Sequence, residues 1–231
     1  MFIKIFSYLN PFVLIFILII ENRVFAENVP KEIPWEIVSD EKGFITKRRK
    51  SPNSNIFAFR GETLADVPIG QVLTVFMDRS LRKDWVHMFG EQKDLEVKND
   101  LDKVYWIRFA TPMIMSDRDY VLQLKGDIDN ASHVMTAKIT SVTHPSKGVD
   151  TCCVRAHAFG TFYRFEARGS KTFIEVEVQT DPKGWIPKWL VNFIQKSWPK
   201  KTLTRLIELA KKSTSDMDPR FVGWDQSPPT K

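Results

Sequence analysis

Cys153 and His157 are the residues whose types come closest to a catalytic pair, because a thiol beside an imidazole can act as a nucleophile with its base. The surrounding residues predict a β-strand, in which positions four apart are separated by about 13 Å. That separation is too long for a hydrogen bond. Cys152 and Cys153 point to opposite faces of such a strand, so we expect two free thiols and no disulfide between them.

The sequence also lacks the residue patterns that are typical of metal-binding and cofactor-binding sites. The four histidines never fall at a metal-ligand spacing, and no paired-cysteine motif accompanies them. The sequence has no phosphate-binding glycine loop, no G-x-S-x-G and no H-E-x-x-H. We therefore expect no catalysis, no cofactor and no metal ion.

A more informative residue is Arg118, in the segment MSDRDYVLQL (residues 115–124). As a strand, this segment places Arg118 on the same face as Tyr120, Leu122 and Leu124, and its opposite face is mostly polar. Arg118 is therefore the first residue on the face of the strand that should be buried. A buried cation is unfavourable unless it is paired, so Arg118 requires a partner.

The elements around this stripe predict an α+β fold. Residues 68–85 have helical spacing, and a long amphipathic helix is predicted over 187–212, interrupted by Pro199. Short links between consecutive strands predict an antiparallel meander, curved around the last helix. The strands are predicted at 44–50, 55–61, 93–99, 103–110, 117–126, 132–142, 151–168 and 171–180.

Composition and charge describe an ordinary globular chain of 231 residues, with 43% hydrophobic and 27% charged residues. The formal net charge of +6 is mild. It fits weak attraction to an anionic membrane surface and argues against nucleic acid as a partner.

Residues 1–26 predict a secretory signal peptide, with the apolar run PFVLIFILII followed by a cleavage-like end at Ala26. An uncleaved membrane anchor is the alternative, although the run is short for a bilayer span. The prediction is an exported protein, periplasmic or secreted. Residues 27–34 are expected to be a lead-in, 35–212 the domain, and 213–231 a flexible C-terminal tail.

Three stretches of the chain form a recognisable set in this order: MDRSLRKDW (77–85), VYWIRFATPMIMSDRDYVLQL (104–124) and DPKGWIPKWLVNF (181–193). Together they resemble the START domain (steroidogenic acute regulatory protein-related lipid transfer) of the helix-grip superfamily, and most of all its phosphatidylcholine-transfer branch. The resemblance implies a hydrophobic tunnel between the sheet and the C-terminal helix, holding one lipid. It also implies that Arg118, which matches the family's Arg-Asp-aromatic motif, points into that tunnel.

The partner of Arg118 stays open at this point. The inward positions of the preceding strand supply no carboxylate. A ligand phosphate or carboxylate, a backbone carbonyl, or Glu62 are the candidates. Alternatively, Arg118 lies at the sheet edge and reaches only solvent or Asp117.

The alternation of side chains along each strand, and the spacing along the last helix, predict the other residues that line the tunnel. For each of these residues, ordinary packing in the core is the alternative. With Arg118, the predicted ligand-binding residues are Tyr105, Ile107, Phe109, Tyr120, Leu122, Met135, Ile139, Val176, Leu190, Phe193 and Ile194. The loop 143–150 matches the place where the family has a flexible loop beside the tunnel mouth, and the resemblance implies that it acts as a gate together with the kinked last helix.

The function expected from these observations is binding, and transfer, of one lipid or other hydrophobic molecule by a monomer. Trp185, Trp189 and Trp198, among several lysines, suit transient contact with a membrane surface, and a solvated helix face is the alternative. The rival functions are a cavity enzyme of the cyclase or aromatase type, with His133 as one acid–base candidate, and a lipid-sensing interaction module.

Overall fold

The computed structural model describes residues 33–51, 54–111, 115–149 and 151–226. The predicted signal peptide, almost all of the predicted lead-in and the end of the predicted tail lie outside the described residues. Among the described residues, no helix is both long and apolar enough to cross a bilayer.

Ten strands of the described chain form one large sheet, in the spatial order β1-β2-β3-β10-β9-β7-β6-β5-β4. Neighbours in this order pair antiparallel, and the short β8 pairs parallel with β6. The strands are β1 (Glu36–Glu41), β2 (Phe44–Ser51), β3 (Ser54–Ala65), β4 (Phe89–Asn99), β5 (Asp102–Phe109), β6 (Asp117–Asp129), β7 (Val134–Ser141), β8 (Cys153–Arg155), β9 (His157–Arg168) and β10 (Lys171–Asp181).

The described residues also form three α-helices, α1 (Ile69–Met77), α2 (Arg82–Trp85) and α3 (Lys188–Lys212), and two short 3-10 helices, Pro219–Phe221 and Trp224–Gln226. Pro68 and Pro187 directly precede α1 and α3, where the restricted backbone of proline favours the start of a helix. Lys211 and Lys212 in the last turn complement the dipole of α3. The predicted α+β fold, a curved antiparallel sheet gripping a long C-terminal helix, is confirmed.

The strand order differs from a simple meander. β10 lies between β3 and β9, and the segment with α1 and α2 carries the chain from β3 to the edge strand β4. Sequence proximity cannot reveal this, because the residues that pair β3 with β10, such as Gly61 and Val176, are far apart in the chain. The sequence analysis also missed β1, and the strand predicted at 151–168 is divided at Ala156 into β8 and β9.

Gly61 on β3 allows α3 to approach the sheet closely. A Cβ atom at this position would lie 2.8 Å from both the Phe44 ring and Cβ of Pro199. Any larger residue would therefore push the helix away from β2 and β3.

Residues 213–226, here called the C-terminal strap, do not form a loose tail. Phe221 and Trp224 are buried in the same hydrophobic core as α1. The backbone amide of Asp218 donates to Thr74 Oγ1 of α1 at 2.9 Å. The polar, proline-bearing composition of this segment misled the sequence analysis, because two aromatic side chains are enough to anchor it.

Cys152 and Cys153 are joined in a disulfide, so the expectation of two free thiols is wrong. Residues 151 and 152 form a turn before β8 begins at Cys153. The alternation of side chains across a strand, on which that expectation rested, does not apply in a turn.

Candidate ligand-binding cavity

A cavity of about 160 Å³ lies between the first half of α3 and the inner face of the sheet. Its walls come from β5, β6, β7, β9 and β10, and α2 closes one end. Most of its lining is aliphatic or aromatic, and the other end is formed by the turn that precedes α3, including Pro182 and Ile186.

Eight of the twelve predicted ligand-binding residues line this cavity. Their role in binding stays a prediction, but the structure brings their side chains together. They are Tyr105, Ile107, Phe109, Arg118, Tyr120, Leu122, Ile139 and Ile194.

The other four predicted residues do not line the cavity. Met135 and Val176 are fully buried in the packed core beside α1, which covers their part of the sheet. On α3 the predicted inward face lies one residue away from the observed one, so that Leu190 is only half-buried and Phe193 is 65% exposed. Val191, Gln195 and Trp198 face the cavity beside Ile194, which both faces share.

Arg118 is bound to backbone carbonyls, one of the partners left open by the sequence. Its Nη1 donates to Ser116 O at 2.6 Å, its Nε to Pro182 O at 3.2 Å and its Nη2 to Lys183 O at 3.3 Å. Glu62 pairs with Lys47 at 2.7 Å instead. Arg118 therefore fixes the turn from which α3 begins.

Two further polar contacts hold α3 to the end of β10 at Thr180. Gln195, buried on α3, donates its Nε2 to Thr180 O at 2.8 Å and accepts from the Thr180 amide at 3.4 Å. The Tyr120 hydroxyl is hydrogen-bonded to the Thr180 side chain. Burial raises the pKa of both Tyr120 and Tyr105 to about 12, so their hydroxyls stay protonated.

Arg82 of α2 is a cavity residue that the sequence analysis did not identify. It is only 6% exposed, and its Nε has no hydrogen-bond partner among the described residues. Its Nη1 lies 3.5 Å from Gln92 Oε1, and its guanidinium lies 5.8 Å from the Trp85 ring centre and 6.0 Å from that of Tyr105. The sequence did contain an indication of this position. Arg82 precedes the apolar Trp85 by three residues, and residues three apart in a helix lie on the same face.

Exposed aromatic residues lie on the outer side of the turn before α3 and of the first turn of α3. Trp185 is 91% exposed and Trp189 is 69% exposed, on the side of the turn and of α3 that faces away from the cavity. The exposed lysines Lys183, Lys188 and Lys196 lie on the same segment.

The histidines lie outside this cavity. His133 stacks on Trp224 of the strap, with ring centres 5.0 Å apart, which removes it from the candidate acid–base groups. Burial, with the positive charges of Lys201 and Arg205, lowers the pKa of His87 to about 4, so His87 is neutral near pH 7. No three metal-ligating side chains come together in the described part of the chain.

The loop predicted as a gate packs on the outer face of the sheet. Lys147 Nζ lies 4.2 Å from the centre of the Trp106 ring, and Gly148 O accepts from Arg155 Nη2 at 2.7 Å. None of its described residues lines the cavity. The turn before α3 does line the cavity, and the polar contacts of Arg118 hold it in place.

The START domain family model matches residues 22–214. The chain therefore belongs to the START domain family, and the helix-grip architecture and the cavity between sheet and helix agree with that membership. START domains bind and transfer lipids.

Individual relatives and solved structures agree with the family. The chain is 27% identical to human phosphatidylcholine transfer protein over 171 residues, which cover 71% of this chain and 77% of that protein. It is 26% identical to mouse mitochondrial StAR-related lipid transfer protein 7 over 176 residues, 72% of this chain but only 46% of that protein. The structure of human StAR-related lipid transfer protein 5 has a TM-score of 0.72 at 18% identity, covering 87% of this chain and 94% of that one.

Proposed function

We propose that this protein binds one lipid or other hydrophobic molecule in the cavity beneath α3 and transfers it between membranes. The observation that carries the proposal is a mostly apolar cavity between the sheet and α3, with a buried cation, Arg82, at one end. Burial of apolar ligand area, about 25 cal/mol per Å², supplies the driving force for binding. The names of two relatives, a phosphatidylcholine transfer protein and a StAR-related lipid transfer protein, support transfer.

Loading requires the cavity to widen. Its free volume of about 160 Å³ is close to that of an engineered cavity that holds one benzene molecule, whereas a lipid is several times larger. The segment that would have to move is here called the lid, residues 181–198. Its turn and Gln195 are held by hydrogen bonds, and Pro199 cannot donate to the carbonyl of residue 195, which gives a hinge.

The lid also presents the surface suited to a membrane. Aromatic side chains favour the interface between head groups and acyl chains, and lysines favour anionic head groups. Trp185, Trp189 and three exposed lysines lie on the outer side of the lid, directly over the cavity. Docking there would open the cavity against the bilayer and keep the ligand out of water.

Replacing both Trp185 and Trp189 by alanine is expected to weaken binding to vesicles of phosphatidylcholine with phosphatidylglycerol by at least about tenfold, because each tryptophan buries apolar area in the interface. The thermal midpoint should not change, since both side chains are exposed. A vesicle co-sedimentation assay measures this. Val222→Ala, at a residue 65% exposed on the strap, is the control; equal losses in both variants would contradict docking through the lid.

We further propose that the protein is exported, with residues 1–26 removed. The leader-like sequence supports this, and so does the disulfide between Cys152 and Cys153, because disulfides persist in oxidising compartments.

Native mass spectrometry of the protein recovered after export from the full-length gene tests ligand binding and processing together. We expect a mass that lacks residues 1–26, with an adduct of lipid mass that organic solvent extracts. Ala158→Phe, which fills the cavity wall, should lose the adduct, and Ala110→Phe, at an exposed position, should keep it. A bare wild-type protein that takes up no lipid from vesicles would overturn the binding proposal.

Binding without a covalent step is favoured over a cavity enzyme. The described lining contains tyrosines and arginines but no carboxylate or imidazole. The raised pKa values of Tyr105 and Tyr120 make their hydroxyls poor general bases near pH 7.

A further inference from the structure

The disulfide between Cys152 and Cys153 is unsuited to holding the fold together, because it joins adjacent residues. A disulfide stabilises a fold mainly by restricting the unfolded chain, and the effect grows with the length of the loop that it closes. This disulfide closes a ring that contains a single peptide bond. Its contribution to the stability of the whole domain is therefore small, and a different role has to account for it.

The two cysteines differ in their access to solvent. Cys152 is exposed in the turn that precedes β8, whereas Cys153, the first residue of β8, is only 9% exposed. An exposed disulfide is open to attack by a thiolate, and disulfides of this kind are the labile and regulatory ones. A reductant therefore reaches this disulfide from the side of Cys152.

The short strand β8, which begins at Cys153, lies beside the start of the lid. It pairs in parallel with β6, and Val154 stands opposite Arg118 in this pairing. Arg118 is the residue that donates hydrogen bonds to the carbonyls of Pro182 and Lys183 in the lid. The disulfide is thus one residue away from the position on β8 that faces the anchor of the lid.

Gly184 of the lid packs against both of these side chains. A Cβ atom on Gly184 would lie 3.4 Å from Nη2 of Arg118, and 3.7 Å and 3.8 Å from the two methyl groups of Val154. Gly184 also has a φ of +69°, in the region that favours glycine. The lid therefore rests directly on β8, and a displacement of β8 would remove a support from the turn before α3.

We propose that Cys152 and Cys153 form a thiol–disulfide exchange site whose redox state controls the opening of the lid. This inference rests on the proposed lipid-transfer function and adds a means of regulating it. The disulfide-bonded state, which an oxidising compartment favours, fixes the turn at residues 151–153 and keeps β8 against the lid. Reduction opens the ring, frees this turn and allows β8 and the lid to separate.

The substrate of the site is a dithiol, such as the Cys-x-x-Cys pair of an oxidoreductase. One thiolate of the dithiol attacks Sγ of Cys152, the S–S bond breaks, and Sγ of Cys153 leaves as a thiolate that takes up a proton. The second thiolate then attacks the partner's sulfur in this mixed disulfide, and Cys152 leaves as a thiolate that is protonated in turn. Two electrons and two protons pass to this protein, and the dithiol becomes a disulfide.

The first test is reduction of the folded, exported protein by dithiothreitol, followed by trapping with N-ethylmaleimide and mass spectrometry. We expect both cysteines to be trapped without unfolding, and the thermal midpoint to stay within about 5 °C of that of the oxidised protein. A disulfide that dithiothreitol reduces only after unfolding in urea would overturn the inference. So would a larger fall in the thermal midpoint, since the disulfide would then be needed for the fold.

The second test compares the lid in the two redox states. Hydrogen exchange of the backbone amides of residues 181–198 should become at least about threefold faster on reduction, roughly the effect of losing one weak hydrogen bond. Transfer of pyrene-labelled phosphatidylcholine between vesicles of phosphatidylcholine and phosphatidylglycerol should accelerate by a similar factor. A double variant, Cys152→Ser with Cys153→Ser, should show the faster rates with and without dithiothreitol.

Val154→Ala tests whether β8 transmits the effect. Removing the two methyl groups beside Gly184 should make hydrogen exchange in the lid fast in both redox states. Val134→Ala is the matched control, because Val134 is also a partly buried strand valine but pairs with Asp129, at the end of β6 remote from Arg118. This control should keep the difference between the two states, and a difference that also survives in Val154→Ala would overturn the route through β8.

The outcomes separate this inference from the proposed function. Hydrogen exchange in the lid that neither reduction nor the double serine variant changes would overturn the redox control and leave lipid transfer intact. Failure of the oxidised and the reduced protein alike to take up lipid would overturn the proposed function, whereas hydrogen exchange in the lid would still decide the redox control.

Discussion

Replacing Asp119 by asparagine is expected to lower the free energy of unfolding by about 3–5 kcal/mol, the loss that follows when one partner of a buried ion pair is removed. Asp119 has no exposed surface. Its carboxylate accepts from Trp106 Nε1 at 2.7 Å, from Arg155 Nε at 3.1 Å and from Arg155 Nη2 at 2.8 Å. In the variant, Arg155 loses its counter-ion and the indole of Trp106 loses a charged acceptor.

The effect should extend to the segment between β7 and β8. Arg155 also donates to Gly148 O, so the carboxylate of Asp119 fixes the arginine that holds this segment to the sheet. Urea unfolding measures the change in free energy, and the thermal midpoint should fall by about 10 °C for a domain of this size.

Asp102→Asn provides the matched control. Asp102 is partly exposed, and its nearest cation, Lys98, is 3.8 Å away, so the expected change is within about 1 kcal/mol. If Asp119→Asn were no more destabilising than Asp102→Asn, the buried contacts of Asp119 would not contribute as the structure indicates.

The sheet and the long helix were predictable because their patterns are local. Alternation in β5 and β6 assigned Tyr105, Ile107, Tyr120 and Leu122 to the inner face, and the structure places all four on the cavity. The three stretches that resemble the START family indicated the order of the strands and helices along the chain. Strand parity is robust because a strand residue has only two faces to choose between.

The helix face and the core were less predictable. An error of one position rotates the apolar face of a helix by about 100°, which is why Phe193 was assigned inward and is exposed. Met135 and Val176 have the correct parity but lie under α1, and no strand pattern shows which part of a sheet a helix covers.

The partners of the two arginines depend on contacts between distant segments. Arg118 binds carbonyls 64 and 65 positions away, and backbone carbonyls carry no sequence signal. Arg82 was overlooked because a charged residue in a short helix usually faces solvent. Only the three-dimensional structure shows that α2 directs it into the cavity.

The C-terminal strap leads to the last prediction, because it lies mostly beyond residues 22–214, which the family model matches. Phe221 has no exposed surface, and its ring centre is 5.2 Å from that of Trp224. Both side chains belong to the core that includes α1, and the strap contacts α1 directly. The strap therefore covers apolar surface that would otherwise face water.

Phe221→Ala is expected to lower the free energy of unfolding by about 3–5 kcal/mol, through lost burial and the cavity left behind. Phe193→Ala is the matched control, since Phe193 is 65% exposed and should change stability by less than about 0.5 kcal/mol. Urea unfolding of the two variants beside wild type measures both values. Equal stability of all three proteins would mean that the strap does not pack on α1 in solution. The hydrophobic core would then not include the strap.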